Sequence, residues 1–181
     1  MWTKPSDILS VRRILSPSTF NSQKTMPVKP SKNEFINSMT SAYKRALSSK
    51  GLDPNYAYVL VAQDALESGW GKHQSGTYNF GGIKAGKNTN GQYKRTREYS
   101  AGKGFYYSNE KFRNFENLDD YCNYKIQLLS NNRYNAFNQF SSSDPSGFIQ
   151  HILNKGYGAA EGGKYLNAVM KNINTIRQVT G

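Results

Sequence analysis

The chain has 181 residues, enough for one domain with a real core and too few for two large ones. Hydrophobic residues make up only 36%, aromatic residues 13%, and the net charge is +12. That balance favours a polyanionic partner such as nucleic acid, an anionic membrane or a charged cell wall. Yet no run of Lys and Arg reaches the length of a nucleic-acid motif, no zinc-finger spacing occurs, and no stretch approaches a transmembrane span.

Residues 1–30 read as an arm. They hold Pro5, Pro17, Pro27 and Pro30, many Ser and Thr, and an excess of Lys and Arg over the single Asp7, a composition that seldom folds alone. Arg12 and Arg13 interrupt Ile8, Leu9, Val11, Ile14 and Leu15, so the segment is not expected to be a signal peptide. It is either a disordered leader or a short amphipathic helix that docks on a partner.

The folded part is expected from residue 31 to 181. Ser31 and Glu34 have capping-box spacing, and Phe35, Ile36, Met39, Tyr43, Ala46 and Leu47 follow at helical intervals up to Gly51. Asp53-Pro54 predicts the next helix start, with apolar Ala57, Leu60, Val61 and Ala65 and an end near Gly69. From Gly69 to Gly104 glycines are frequent. There Tyr93–Tyr99 reads as a strand, Ser100–Gly104 as a turn, and Phe105–Tyr107 as a returning strand. Asn117 then caps a helix bearing Leu118, Tyr121, Cys122, Leu128 and Leu129. Asp144-Pro145 opens another that stops at Gly156, and the last carries Tyr165, Leu166, Val169, Ile173 and Ile176. The pattern is α+β and mainly α: a helical lobe, a small β-hairpin lobe, and a cleft between them.

Cys122 is the only cysteine, which excludes an internal disulfide, and its apolar helical setting reads as a small buried residue. One cysteine argues against a Cys-based metal site, and His73 and His151, the only imidazoles, stand far apart in sequence.

Glu67 is the first candidate for chemistry. It lies near the C-terminus of its helix, where the backbone dipole disfavours a carboxylate, and Trp70 follows at a distance suited to shielding it from water. Both effects keep a carboxyl protonated, as a glycosidase acid requires. A solvated Glu at a helix end is the plain alternative.

The stretch Ala62-Gln63-Asp64-Ala65-Leu66-Glu67-Ser68-Gly69-Trp70-Gly71 resembles the signature of the glucosaminidase family, glycoside hydrolase family 73. That family includes autolysins, flagellar wall hydrolases and phage lysins. The resemblance continues in order at Tyr78-Asn79-Phe80-Gly81-Gly82-Ile83-Lys84, Thr96-Arg97-Glu98-Tyr99, Phe112-Arg113-Asn114-Phe115 and Arg133-Tyr134. It implies a lysozyme-like fold, with Glu67 as catalytic acid and no metal or organic cofactor.

A second carboxylate is expected to activate water in an inverting mechanism. Glu98 is the best candidate; strand alternation places it with Lys94 and Thr96, opposite Arg95 and Arg97. A surface ion pair with Lys94, or substrate assistance by the N-acetyl group, remains open beside it. Glu110, Glu116 and Asp64 are weaker alternatives, Asp64 being better suited to a cap or salt bridge.

Trp70, Tyr78 and Phe80 are expected to line the glycan groove, with Asn79 either binding an acetamido group or simply forming a turn. The family also carries an active-site Tyr in a G-Y-A-T-D-P-x-Y segment. Gly156-Tyr157 matches its start and Tyr165 its end, but the intervening Gly158–Lys164 lacks the T-D-P and is longer by about two residues. Tyr157 is carried over as catalytic and Tyr165 as substrate-binding, with a core aromatic as the alternative for Tyr165.

The resulting expectation is an endo-β-N-acetylglucosaminidase acting on bacterial peptidoglycan, without specific nucleic-acid binding. A muramidase, a lytic transglycosylase, and a non-catalytic virion or wall-binding protein are the rivals. The absence of a signal peptide and the basic arm favour phage delivery, in a virion or after holin release, with residues 1–30 docking on a virion protein.

Overall fold

The structure, a computed structural model, describes residues 26–100, 102–157 and 162–181; within these the side chains of Glu98 and Tyr99 are not described. The arm segment with Ile8, Val11, Ile14 and Leu15, read as a disordered leader or a short docking helix, lies outside the described residues. Residues 26–30, read above as the end of the arm, lie on the domain: Met26 and Pro30 are buried.

Helix α1 spans Lys32–Ser49 and opens with the expected capping box, in which the Ser31 hydroxyl accepts from the Glu34 N–H and the Glu34 carboxylate accepts from the Ser31 N–H. Its apolar stripe, Phe35, Ile36, Met39, Tyr43, Ala46 and Leu47, is buried throughout. Helix α2 spans Tyr56–Ser68. Its start differs from the expected one. The Asp53 carboxylate accepts from the Asn55 N–H and its carbonyl from the Tyr56 N–H, so Asp53-Pro54 forms a lead-in turn and the helix begins two residues later.

Helix α2 is the axis of the molecule. It packs against α1 on one side and against the last helix on another, and ten of its thirteen residues are buried. A helix buried on nearly every side lacks a one-face apolar stripe, which explains why its polar residues carry so much information.

Strands β1 (Gly91–Ser100) and β2 (Gly104–Arg113) form an antiparallel hairpin with Gly91 opposite Arg113 and Ser100 opposite Gly104. The second strand is longer than Phe105–Tyr107. It persists because the loop at Ile83–Ala85 pairs with its far end: Arg113 N–H donates to the Ile83 carbonyl and Ala85 N–H to that of Lys111. Those bonds tie the hairpin to the helical lobe.

Helix α3 (Leu118–Ser130) is capped by Asn117, which accepts from the Asp120 N–H. Helix α4 (Ala136–Gln139) is too short to show a period and follows Asn135 at φ 45. Its placement is decided by Tyr56, whose hydroxyl donates to the carbonyls of Phe137 and Phe140. Helix α5 (Pro145–Asn154) starts from Asp144 as expected, and α6 (Gly162–Thr180) closes the bundle. Cys122 is fully buried, as its setting predicts. No described helix is long and apolar enough to cross a membrane.

Candidate active site

The tip of α2 builds the site. Gly69 ends the helix in the left-handed region (φ 58, ψ 49), and Trp70 and Gly71 follow with φ 61 and 83. A bulky residue at positive φ is uncommon and needs support. Here Trp70 N–H donates to the Ala65 carbonyl, and the ring sits edge-on to Phe35 with the Lys32 ammonium 4.2 Å from its centroid. The Ser68 hydroxyl donates to the Asp64 carbonyl and accepts from the Gly71 N–H. This sharp reversal leaves Leu66 and Glu67 as the exposed residues of the last turn, where their neighbours are buried.

Glu67 is open on one side and walled on the other. Burial of its carboxyl raises its pKa above the ordinary carboxylate value. The Lys125 ammonium and a hydrogen bond from Tyr165 oppose that rise, and the Asp64 carboxylate adds to it. Trp70, expected as the shield, contributes through the turn, whereas the groups that set the carboxyl's environment come from α2, α3 and α6.

Below Glu67 lies a polar cluster inside the core. Asp64, one turn earlier on α2, is fully buried; its Oδ1 accepts from Lys125 Nζ at 2.6 Å and from the Tyr121 hydroxyl at 2.7 Å. Its Oδ2 accepts from the Tyr43 hydroxyl at 2.5 Å. Lys125 is itself fully buried. Buried charges persist when paired and hydrogen-bonded, and both conditions hold. Asp64 is therefore the salt-bridge residue anticipated above. Lys125, Tyr43, Tyr121 and Gln63 are residues that sequence reasoning missed. A signal was present for one of them: Gln63, beside the anticipated Asp64, interrupts an otherwise apolar buried helix one turn before Glu67, and such polar groups normally have partners.

Tyr157 follows Gly156 (φ 86) at the end of α5 and packs edge-on to Tyr134. Its hydroxyl is buried and has no hydrogen-bond partner among the described residues, and the same holds for Gln63 Oε1. Burial, Asp64 and Glu67 raise the Tyr157 pKa, which keeps the group a donor. Tyr165, on α6, is raised for the same leading reason, burial, with Glu67 next, and accepts from Gln63 Nε2 at 3.4 Å. The segment 158–161 between these two tyrosines lies outside the described residues.

The expected groove residues divide. Tyr78, at φ 52, is half-buried and lines a cavity of about 420 Å³ with Met26, Lys72, Gln74 and Gln92. Asn79 is fully buried; its amide nitrogen donates to the carbonyls of Ile83 and Arg113, and its oxygen accepts from the Ile83 N–H. It is the turn-forming residue, committed to the loop instead of to an acetamido group. Phe80 is 1% exposed between Phe35 and Tyr121 and belongs to the core, not to a sugar platform. Position 98 pairs with Tyr106 in β1–β2, while the Glu98 side chain lies outside the described residues. Glu110 is occupied by Lys84 at 3.0 Å and by Ser108 at 2.9 Å, and these contacts lower its pKa.

A mainly helical domain with a small two-stranded sheet, whose buried axial helix ends in one partly exposed carboxyl, is the architecture of lysozyme-like glycan-cleaving domains. A family model described as mannosyl-glycoprotein endo-beta-N-acetylglucosaminidase matches residues 40–178, and the chain belongs to this glucosaminidase family of glycoside hydrolases. The peptidoglycan hydrolase FlgJ of Pseudomonas aeruginosa is 36% identical over 137 residues, covering 70% of this chain and 33% of that protein. FlgJ of Vibrio parahaemolyticus is 29% identical over 139 residues, covering 70% of this chain and 42% of that protein. The chain thus spans about a third to two fifths of the length of these relatives. Among solved structures, a peptidoglycan hydrolase mutant from Sphingomonas sp. A1 superposes with a TM-score of 0.66 at 29% identity, covering 81% of this chain and 97% of that one. The catalytic domain of the Listeria monocytogenes autolysin Auto shares the fold, with a TM-score of 0.66 at 23% identity over 97% and 98% of the two chains.

Proposed function

We propose that this domain hydrolyses the glycan strands of bacterial peptidoglycan at the β-1,4 bond after N-acetylglucosamine, with Glu67 as general acid. The observation that carries the reading is the position of the Glu67 carboxyl. It sits at the tip of a buried helix, with its pKa raised by burial and with Tyr165 and the Asp64–Lys125 pair around it. A proton held at that carboxyl is available to the leaving glycosidic oxygen as the bond breaks. The Tyr157 hydroxyl, buried beside Gly81 and without a partner among the described residues, reaches a bound sugar only if the groups covering it move. Glu98 or the substrate's own acetamido group assists at the anomeric carbon. Glu98→Gln separates these: a loss beyond about 10²-fold in kcat assigns Glu98 as base, and a small loss leaves the acetamido group.

Mass spectrometry of reduced muropeptides after digestion of purified peptidoglycan tests the bond. Reduced N-acetylglucosamine ends from the parent and none from Glu67→Gln support the reading. Reduced muramic ends or anhydro products move the cut to a muramidase or transglycosylase reaction. No product from either protein points to a binding or structural role.

For delivery, we infer that the basic arm of residues 1–30 docks on a phage particle protein, a reading supported by its composition alone. Particle incorporation that survives deletion of residues 1–25, which spares the Met26 and Pro30 packing on the domain, overturns it.

A further inference from the structure

The two faces of the hairpin are chemically unlike. One carries Lys94, Thr96, Ser108 and Glu110 and meets the loop between α2 and β1, where Lys94 Nζ donates to the Gln74 carbonyl and Lys84 pairs with Glu110. In register, the other face holds positions 93, 95, 97 and 99 of β1 against 111, 109, 107 and 105 of β2. Those eight positions contain two Arg, one Lys, four aromatic residues and one Asn, and no Asp or Glu. The acidic residues of the hairpin, Glu98 and Glu110, both fall in the other register.

This outer face is also open. Tyr93 is 72% exposed, Phe105 65% and Tyr107 62%. The cations lie across the rings: Arg95 is 4.4 Å from the Tyr107 centroid, Arg97 4.1 Å from that of Phe105, and Lys111 5.9 Å from that of Tyr93. A guanidinium stacked on a ring is held in place while its N–H edges stay available to oxyanions. Same-face residues on a strand are about 7 Å apart, so the strip presents its cations as a short ladder. The neighbouring rings offer apolar faces and edges to sugar rings.

We propose that this outer face is an accessory binding strip for the carboxylate-bearing wall glycan, holding the stem-peptide carboxylates of peptidoglycan outside the cleft. The assignment rests on the substrate reading above. Charge complementarity selects the occupant, because three cations with no acidic partner among the described residues call for an anionic ligand, and the exposed rings call for one with apolar faces. A single-stranded nucleic acid would stack its bases on open ring faces, whereas these rings already carry the chain's own cations.

The test uses the full chain with Glu67→Gln, so that binding is read without turnover and the loss of catalysis cannot be confused with loss of the strip. Co-sedimentation with purified peptidoglycan sacculi compares this chain with one that also carries Arg95→Gln, Arg97→Gln and Lys111→Gln. Affinity is expected to fall about tenfold, the size of three exposed charge contacts, with a weaker salt dependence. Amidating the carboxylates of the sacculi should bring the two proteins to the same affinity. With Glu67 intact, the triple variant should hydrolyse short neutral chitooligosaccharides at the parent rate. A milder variant, Arg95→Lys with Arg97→Lys, keeps charge but loses the planar fork, and is expected between the two. Equal binding of all variants, or parental binding that survives amidation, overturns the proposal. Tighter binding of the parent to single-stranded DNA than to sacculi, lost in the triple variant, reassigns the face to nucleic acid.

Discussion

At the scale of single residues, Glu67 and its neighbours define what can be measured. Replacing the acid by Gln is expected to lower kcat on the order of 10²- to 10⁴-fold. The basic limb of the parent pH–rate profile should lie above the ordinary carboxylate range, since burial raises the Glu67 pKa. Stability carries the opposite sign. A carboxyl whose folded-state pKa exceeds its unfolded value destabilises the fold once pH rises past the unfolded value. The Tm of Glu67→Gln is therefore expected to exceed that of the parent at pH 7 and to match it near pH 3. A variant less stable than the parent at pH 7 would contradict the wall of groups described around this side chain.

The buried pair beneath it predicts a second outcome. Lys125→Met leaves Asp64 charged and without its cation, at an expected cost of about 3–5 kcal/mol in chemical denaturation. Adding Asp64→Asn should recover part of that cost, because the unpaired charge is then gone. A double variant that is no more stable than Lys125→Met alone would show that the tyrosine hydroxyls, and not the charge pair, carry the cluster.

At the scale of elements, the loops do the positioning. Gly81 lies against the polar cluster: a Cβ there would stand 2.7 Å from the Tyr121 hydroxyl, 3.3 Å from Asp64 Oδ1 and 3.5 Å from the Tyr157 hydroxyl. Gly81→Ala must displace at least one of these groups. Loss of activity larger than the loss of stability is expected, read as kcat against the denaturation midpoint. The hairpin behaves differently from the helices. A two-stranded ribbon with one open face has little to bury, whereas α2 is enclosed. Amide hydrogen exchange is expected to be slowest in α2 and fastest along the exposed edges of β1 and β2, and comparable protection of both would be at odds with this architecture.

The caps and apolar stripes of α1, α3 and α5 were legible because each depends on neighbours within four residues. Ser31 with Glu34, Asn117 with Asp120, and Asp144 with Gly147 close their bonds locally. The start of α2 falls two residues later than its local pattern predicts for the opposite reason: Asp53 spends its carboxylate on a turn and on Ser142, 89 positions away. Helix α4 and the far half of β2 left no local mark, since Tyr56 and the Ile83–Ala85 loop hold them from outside.

Across the whole molecule, the lobes, the helix that carries Glu67 and the family are readable from the chain alone. These rest on short-range capping, periodicity and an ordered set of motifs, each readable without knowing what packs against what. The roles of the polar residues, by contrast, come from packing. Asn79 and Phe80 sit beside Tyr78 in sequence, yet packing sends them into the loop and the core and leaves Tyr78 on a cavity. Lys125 looked like one more cation among many in a chain of net charge +12. It becomes the buried counter-charge of Asp64 because α1, α2 and α3 converge around it, and the cost of burying a charge is met only by a partner that the fold brings from 61 residues away.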